Sequence, residues 1–453
     1  MWSTESRELV EGNILKAIIV FAIPLLIGNL FQQLYNTVDS YVVGNYVSTS
    51  ALAAVGASTP VINMLVGFFM GLSTGAGVVI AQYFGSGDSA KVSDAVHSAM
   101  ALTILLSVLF TAAGISFTGP LLRGIGVPED VLPHSMQYLT IYFGGITFSL
   151  IYNMGAGILR AVGDSRTPLI FLAAASMINI VLDLLFVCSF DMGIAGVGIA
   201  TVMAQAVSAS LVLYKLMRTH DSYHLELRKL RFHKEIVRRI IEIGFPAALQ
   251  QSITSFSNVI VQSYINSFGT VTIAGYSTTI RIDGFLMLIL QSFNMTITTF
   301  VGQNIGAGKY KRVKRGIFVS WAACSVIVLV IALFLNRNAD SLISVFTSDA
   351  EVIAIGGMLR LFSAFYIVHP VIQILNGALR GAGHSKVPMF FMLGSFVVLR
   401  QIYLAIAVPL TDSVMVVLAG WPITWVICAV GMAFYYFKVN WLPEAAEEKT
   451  AVS

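Results

Sequence analysis

Charge is what this sequence has least of. Only 11% of its 453 residues are Asp, Glu, Lys or Arg, while 57% are hydrophobic; a soluble domain carries about 25% charged residues. That scarcity excludes a soluble enzyme and predicts an all-α polytopic membrane protein. A net charge of +4 is no footprint for nucleic acid, because the basic residues fall where membrane topology puts them, and no nucleic-acid partner is expected. Cysteine is nearly absent. Cys188, Cys324 and Cys428 sit in apolar runs without metal-ligand spacing, which argues against a disulfide framework or a zinc site. The polar start, MWSTESRELVEGN (1–13), lacks the basic-then-apolar pattern of a cleaved signal peptide. No GxxxxGK[ST] loop occurs, so ATP is not expected as a direct energy source, and no HExxH zinc motif occurs. No cofactor is expected.

What is present is apolar length. Twelve runs reach the 20 or so residues a membrane helix needs: 16–47, 51–81, 93–122, 132–159, 168–190, 193–217, 236–267, 271–303, 315–336, 351–379, 388–410 and 413–437. Several exceed the minimum, which predicts tilt or protrusion into water. Very short connections at 44–50, 268–270 and 409–413 predict antiparallel neighbours. With the N-terminus inside, 21 Lys and Arg fall in inner segments and only Arg123 and Arg337 in outer loops; Lys215, Arg281, Arg360 and Arg400 fall in spans. That asymmetry predicts two cytoplasmic termini. The longest inner loop, 217–239, holds seven basic residues against three acids and reads as a solvated topology determinant between two lobes.

The chain repeats itself. LRAVGDSRTP (159–168) matches LRGAGHSKVP (379–388) at an offset of 220, AQYFGSGDSAKV (81–92) matches GQNIGAGKYKRV (302–313) at 221, and AIPLL (22–26) faces GFPAA (244–248) at 222. Six helices per half is an even number, so both halves enter from the same side. Such repeats are related by a pseudo-two-fold axis along the membrane normal, with alternating access by rocking. The expected organisation is an N-lobe (1–217), a basic linker (218–235), a C-lobe (236–438) and a disordered tail (439–453). Pro24 and Pro246 lie inside helices, where each removes a backbone hydrogen bond and allows a bend.

Two carboxylates stand out within apolar runs. An acid in hydrocarbon costs roughly 2.5–3.5 kcal/mol on insertion scales, so Asp39 and Asp183 should face a cavity, a partner or an ion. Gln32, Tyr35, Asn36 and Asp39 share one helical stripe, as do Asn179 and Asp183 at i and i+4. If the acids approach each other they titrate as a unit, poised for proton coupling. Oxygen ligands from Asp39, Asn179, Asp183 and Thr201 suit sodium equally, and the residues alone leave that choice open. Asn153 and Thr201 taken singly read as interhelical hydrogen bonds. His369, before Pro370, reads as a structural histidine or a pH sensor. Arg281 and Asp283 are two apart and do not face each other. The 17 Met and 29 Phe residues read as lipid-facing or core, with Met177 and Phe148 as possible walls of an adaptable pocket.

Together the stretch IPLLIGNLFQQLYNTVDSYVVG (23–44), the two LRxxGxSxxP turns and NIVLDLLFV…GIAGVGIATVMAQ (179–205) resemble the multidrug and toxic compound extrusion (MATE) family, in its DinF/MepA-like bacterial branch. The resemblance covers essentially the whole chain. It implies twelve helices in a V-shaped pair of six-helix lobes, a multi-pass place in the bacterial inner membrane, and efflux of cationic or amphipathic drugs driven by protons or sodium. It also implies an N-lobe coupling cluster of Asp39, Asp183, Asn153, Asn179 and Thr201, lined by Gln32 and Tyr35, with Asn36 on the same stripe. Another branch carries C-lobe acids where this chain has Thr254 and His369, which shifts the expected ion site to the N-lobe. A monomer among membrane lipid is expected. The competing reading is a lipid-linked precursor flippase of the wider superfamily, which would favour a cationic cavity. A membrane enzyme fits the repeat less well than a transporter does.

Overall fold

The computed structural model describes residues 4–411 and 413–442, and no strand occurs among them. The greater part of the expected tail, 443–453, lies outside the described residues. The helices are α1 (Thr4–Glu11), α2 (Ile14–Tyr46), α3 (Thr49–Gly85), α4 (Ser89–Gly124), α5 (Leu132–Ala161), α6 (Arg166–Leu184) and α7 (Gly193–Arg218). They continue with α8 (Lys234–Asn266), α9 (Thr270–Gly306), α10 (Tyr310–Arg337), α11 (Ala339–Ser344), α12 (Ala350–Gly356), α13 (Met358–Phe365), α14 (His369–Gly381), α15 (Lys386–Leu393), α16 (Arg400–Ala407) and α17 (Val414–Lys438).

Eleven helices or helical runs among the described residues are long and apolar enough to cross a membrane. The twelfth expected span is α8. It is one continuous helix of 33 residues, about 50 Å long, but Arg238, Arg239 and Glu242 crowd its first turns and Gln250, Gln251, Thr254 and Asn258 its middle, diluting its apolar character. With α8 counted, the chain is the all-α, twelve-span protein the sequence predicts. The tenth span is not one helix. It is α12, α13, a 3-10 turn at Tyr366–Val368 and α14; Pro370, lacking an amide hydrogen, sits at the start of α14, where no donor is needed. Arg360 lies within that span, in α13, and pairs with Asp340 of α11 at 2.6 Å, both half exposed. The fifth and eleventh spans each contain a π-helical turn, Leu185–Ser189 and Gly394–Leu399.

The described chain forms two compact units, Ile23–Ala248 with residues 4–7, and the described residues from Leu249 onward with Glu8–Ala22. Both α2 and α8 therefore belong partly to each unit, and the change of membership comes within three residues of Pro24 and Pro246. In the first unit α5 is the central helix, packed on α3, α4 and α7. The first turns of α8 lie against α3 so closely that a Cβ on Gly75 would stand 2.5 Å from the Gly244 nitrogen. In the second unit α9 packs on α10, α12 and α14. Arg312 there donates to the carbonyls of Leu9 and Gly12, at 3.2 and 2.7 Å, fastening the end of α1.

The repeat is as visible in bonds as in letters. Each LRxxGxSxxP turn ends its helix with a left-handed glycine, Gly163 at φ +100° and Gly383 at φ +93°, a conformation in which a Cβ is strained. Behind each glycine the next amide bonds back five residues: Asp164 N to Leu159 O at 2.9 Å, His384 N to Leu379 O at 2.8 Å. In the first unit Ser73 Oγ donates to Asn153 O at 3.0 Å. In the second, at the matching positions, Asn294 Nδ2 donates to Gln373 O at 2.8 Å.

Candidate functional site

Asp39 comes from the last third of α2 and Asp183 from the end of α6, one residue before the helix gives way to its π-helical turn. A π-helical turn re-aims the side chains next to it and often marks a functional site. Asp183 and Asn179 are fully buried and Asp39 is 7% exposed. The two carboxyls, 144 positions apart in sequence, lie within hydrogen-bonding reach of each other. Apart from that mutual contact, Asp39 Oδ1, both Asp183 oxygens and both amide atoms of Asn179 have no partner. Five buried polar atoms left open in this way are costly unless something else satisfies them.

Tyrosines surround the pair. Tyr35, one turn before Asp39, donates to Thr201 Oγ1 of α7 at 3.4 Å and stands within the field of both acids. Tyr138 and Tyr142 of α5 complete the wall; Tyr138 feels both carboxyls, and Tyr142 reaches Gln205 of α7 and Ser149. The cluster thus draws on α2, α5, α6 and α7 within one unit. Tyr138, Tyr142 and Gln205 were not among the residues singled out from the sequence. The i, i+4 spacing of the two tyrosines, continued by Ser149 and Asn153 on the same face, is the signal that points to them.

The other expected residues are placed as follows. Thr201 joins the cluster through Tyr35. Asn153 turns its amide onto its own helix, donating to Ser149 O at 2.8 Å. Gln32 and Asn36 share the stripe of Asp39 but are exposed. Pro24 is buried within an uninterrupted α2. In the second unit Thr254 Oγ1 and both ring nitrogens of His369 are buried and without a partner. His369 stands edge-on to Trp425 with ring centroids 4.4 Å apart.

The chemistry available to the first unit's cluster is that of two acids, amide oxygens and hydroxyls in a dry setting. Two carboxylates offer only acceptors, so a hydrogen bond between them requires a shared proton. Without it, the same open oxygens suit a hard monovalent cation. No cluster of three or more His, Cys, Asp or Glu occurs among the described residues, so nothing resembles a transition-metal centre. The string GLSTG (71–75) has the letters of a hydrolase nucleophile elbow, but it lies in mid-α3 with Gly75 against the α8 backbone, not at the strand-to-helix turn such a nucleophile needs.

Residues 24–185 and 246–406 match the MatE family model, one match per half. The chain is 31% identical to "Probable multidrug resistance protein YpnP" of Bacillus subtilis, covering 89% of this chain and 90% of that protein. It is 26% identical to a "FAD transporter" of Shewanella oneidensis, over 94% and 95% of the two chains. Among solved structures, "Crystal structure of MATE in the bent conformation" superposes with a TM-score of 0.92 over the full length of both chains at 23% identity.

Proposed function

Because the chain belongs to the MatE family of multidrug transporters, we propose that it is a secondary antiporter that exports cationic or amphipathic organic compounds in exchange for protons or sodium. It is a multi-pass membrane transporter and not an enzyme. The observation that carries the proposal is the buried Asp39–Asp183 pair with its open oxygens. In this reading the pair alternates between two loads. With a proton between the carboxyls, or a sodium ion held by Asp39, Asn179, Asp183 and Thr201, it is neutralised. Empty, it carries negative charge in a low-dielectric setting, and that charge draws an organic cation. Binding of one load weakens the other, and this coupling is what an exchanger requires. Tyr35, Tyr138 and Tyr142 offer ring faces that accept varied cationic shapes; Gln32 and Asn36 line the approach on the same stripe. Pro24 supplies the bend through which a change at Asp39 reaches the start of α2.

The excess of Lys and Arg in inner segments favours a bacterial cell membrane setting with both termini cytoplasmic. Exposed apolar side chains along α10, among them Phe318, Val326, Val330 and Leu333, suit a monomer facing lipid.

The test is ethidium efflux from oriented membrane vesicles with a proton gradient and a sodium gradient imposed separately. The expected result is transport under one gradient, lost in Asp39→Asn and in Asp183→Asn. Full gradient-driven efflux in Asp39→Asn would refute the coupling site. The likeness to a FAD transporter makes FAD the second substrate to try: uptake of FAD with no movement of ethidium would replace the cation reading by an anion one.

A further inference from the structure

The second unit holds a buried cation that the exchange above does not use. Arg400, the first residue of α16 after the Gly394–Leu399 π-helical turn, is 2% exposed. Its guanidinium carbon lies 4.0 Å from the Trp421 ring centroid and 5.4 Å from that of Phe396. Nη1 donates to Asn258 Oδ1 at 3.3 Å and Nη2 to Thr424 Oγ1 at 3.4 Å, both long for a charged donor. Nε bonds nothing. None of the ion pairs seen among the described residues includes Arg400. Asp283 is the acid of the region; one of its carboxyl oxygens is buried without a partner, as is the Tyr366 hydroxyl, and Tyr276 feels both Asp283 and Arg400, but no ion pair joins the two.

The guanidinium has unsatisfied company. Trp421 Nε1 has no acceptor, Thr254 Oγ1, one turn before Asn258 on α8, has no partner, and neither ring nitrogen of His369 has one. Trp425 links these groups, 6.1 Å from Trp421 and 4.4 Å from His369 between ring centroids. Arg and Trp nitrogens can only donate, so Arg400 Nε and Trp421 Nε1 both lack an acceptor, and the guanidinium has no partner among the ion pairs seen. A buried charge left in that state is strongly destabilising. A water molecule supplies an acceptor but no charge; an anion supplies both.

We propose that this cluster is a binding site for a monovalent anion, either a halide or the carboxylate of a ligand, held by Arg400 with Trp421, Thr254 and His369 around it. The repeat relates it to neighbours of the other half's acids, though not to the acids themselves, which correspond to Val261 and Leu404. Arg400 stands 221 positions after Asn179, His369 220 after Ser149, and Trp421 220 after Thr201, within the offsets that relate the two halves throughout. The proposal does not depend on which substrate the transporter exports.

Two of the chain's five tryptophans, Trp421 and Trp425, lie in the cluster, so intrinsic fluorescence reads it directly. The purified full-length protein in lipid nanodiscs is titrated with sodium chloride, sodium bromide or sodium acetate, replacing sodium sulfate, whose anion is divalent, at constant sodium. A saturable emission change is expected in the wild type, with its midpoint raised about tenfold or more in Arg400→Gln, the loss of a charge-assisted bond. Thr254→Val, which leaves the Arg400–Trp421 stack in place, is expected to weaken it less and serves if Arg400→Gln does not fold. Saturation by halides alone identifies an inorganic anion site; saturation by acetate as well identifies a carboxylate site. No saturable change in the wild type, or an unaltered midpoint in the variants, overturns the proposal.

Discussion

In the first half of this chain, Asn179, Ser149 and Thr201 stand around two carboxyls; in the second, the positions related by the repeat hold Arg400, His369 and Trp421. The scaffolds are otherwise alike. Each half ends its fourth span on a left-handed glycine, and each ties its second span to its fourth through a polar side chain donating to a main-chain carbonyl. Scaffold positions are fixed by backbone demands: a positive φ, or a carbonyl that needs a donor. Site positions face no such demand. They can hold an amide in one half, Asn179, and a guanidinium in the other, Arg400, without disturbing a helix. The two halves are alike where the chain must fold and differ at the buried polar positions, and the proposed exchange at a pair of carboxyls uses only the first of them.

The sharpest way to break that asymmetry is to neutralise the acids. Asp39→Asn and Asp183→Asn are each expected to reduce gradient-driven ethidium efflux to background in vesicles, with the protein still present in the membrane at wild-type levels. Isosteric amides keep the volume, so a collapse of expression would instead mark the pair as structural.

The next effects test the shared scaffold. A Cβ at Gly377 would stand 2.5 Å from the main-chain oxygen of Asn294, which cannot yield, whereas at the matching Gly157 it meets the Ser73 hydroxyl at 2.6 Å, a side-chain atom that can turn. Gly377→Ala should therefore cost about 2–3 kcal/mol and Gly157→Ala about 1 kcal/mol, read as a larger fall in unfolding temperature for the second half's variant. Asn294 Nδ2 also reaches Gln373 Oε1 at 3.2 Å, a second bond that Ser73 has no counterpart for. Asn294→Ala is expected to cost about 2 kcal/mol and Ser73→Ala about 1 kcal/mol in the same assay; equal losses would mean that the two ties are interchangeable.

The smallest effect concerns the turns before α4 and α10, where Asp88 of one half corresponds to Lys309 of the other at the repeat offset. Asp88 caps α4, accepting from the Lys91 amide at 3.0 Å, with the Lys91 ammonium 3.3 Å away. The amide and ammonium of Lys91 hold its carboxyl below the usual range. A carboxyl lowered on folding contributes stability above its unfolded pKa, near 3.9, and loses it as pH falls through the folded value. Asp88→Ala should thus lower the unfolding temperature slightly at pH 7 and not at all near pH 2, while Lys309→Ala, whose ammonium donates to Val10 O at 3.2 Å, should show no such acid-range dependence.

Much of this was legible beforehand. Apolar length and the repeated LRxxGxSxxP turns predict the helices and the two halves, because span length and a left-handed glycine are local requirements written in consecutive residues. Asp39 and Asp183 could be singled out because an acid in hydrocarbon is conspicuous alone. Their approach to each other needed the structure. Tyr138 and Tyr142 were hidden, since an aromatic on an apolar face reads as core until its neighbour is a carboxyl. The exposure of Gln32 and Asn36 shows the limit of periodicity: it groups residues on a stripe without saying what covers each one. Arg400 was visible only as one of four basic residues inside spans; its stack on Trp421 and its bond to Asn258 join segments 21 and 142 positions away. The π-helical turns beside Asp183 and Arg400 have no local signature in either sequence.

The central claim is that the Asp39–Asp183 pair trades one load for another. The most direct measurement is ion release on ethidium binding by the purified protein, followed in weakly buffered solution with a pH indicator for protons and with radioactive sodium for sodium. The account predicts release of one of the two ions by the wild type and none by Asp183→Asn, whether or not that variant still binds ethidium. Equal release by wild type and Asp183→Asn would contradict it, placing the exchanged ion somewhere other than this pair.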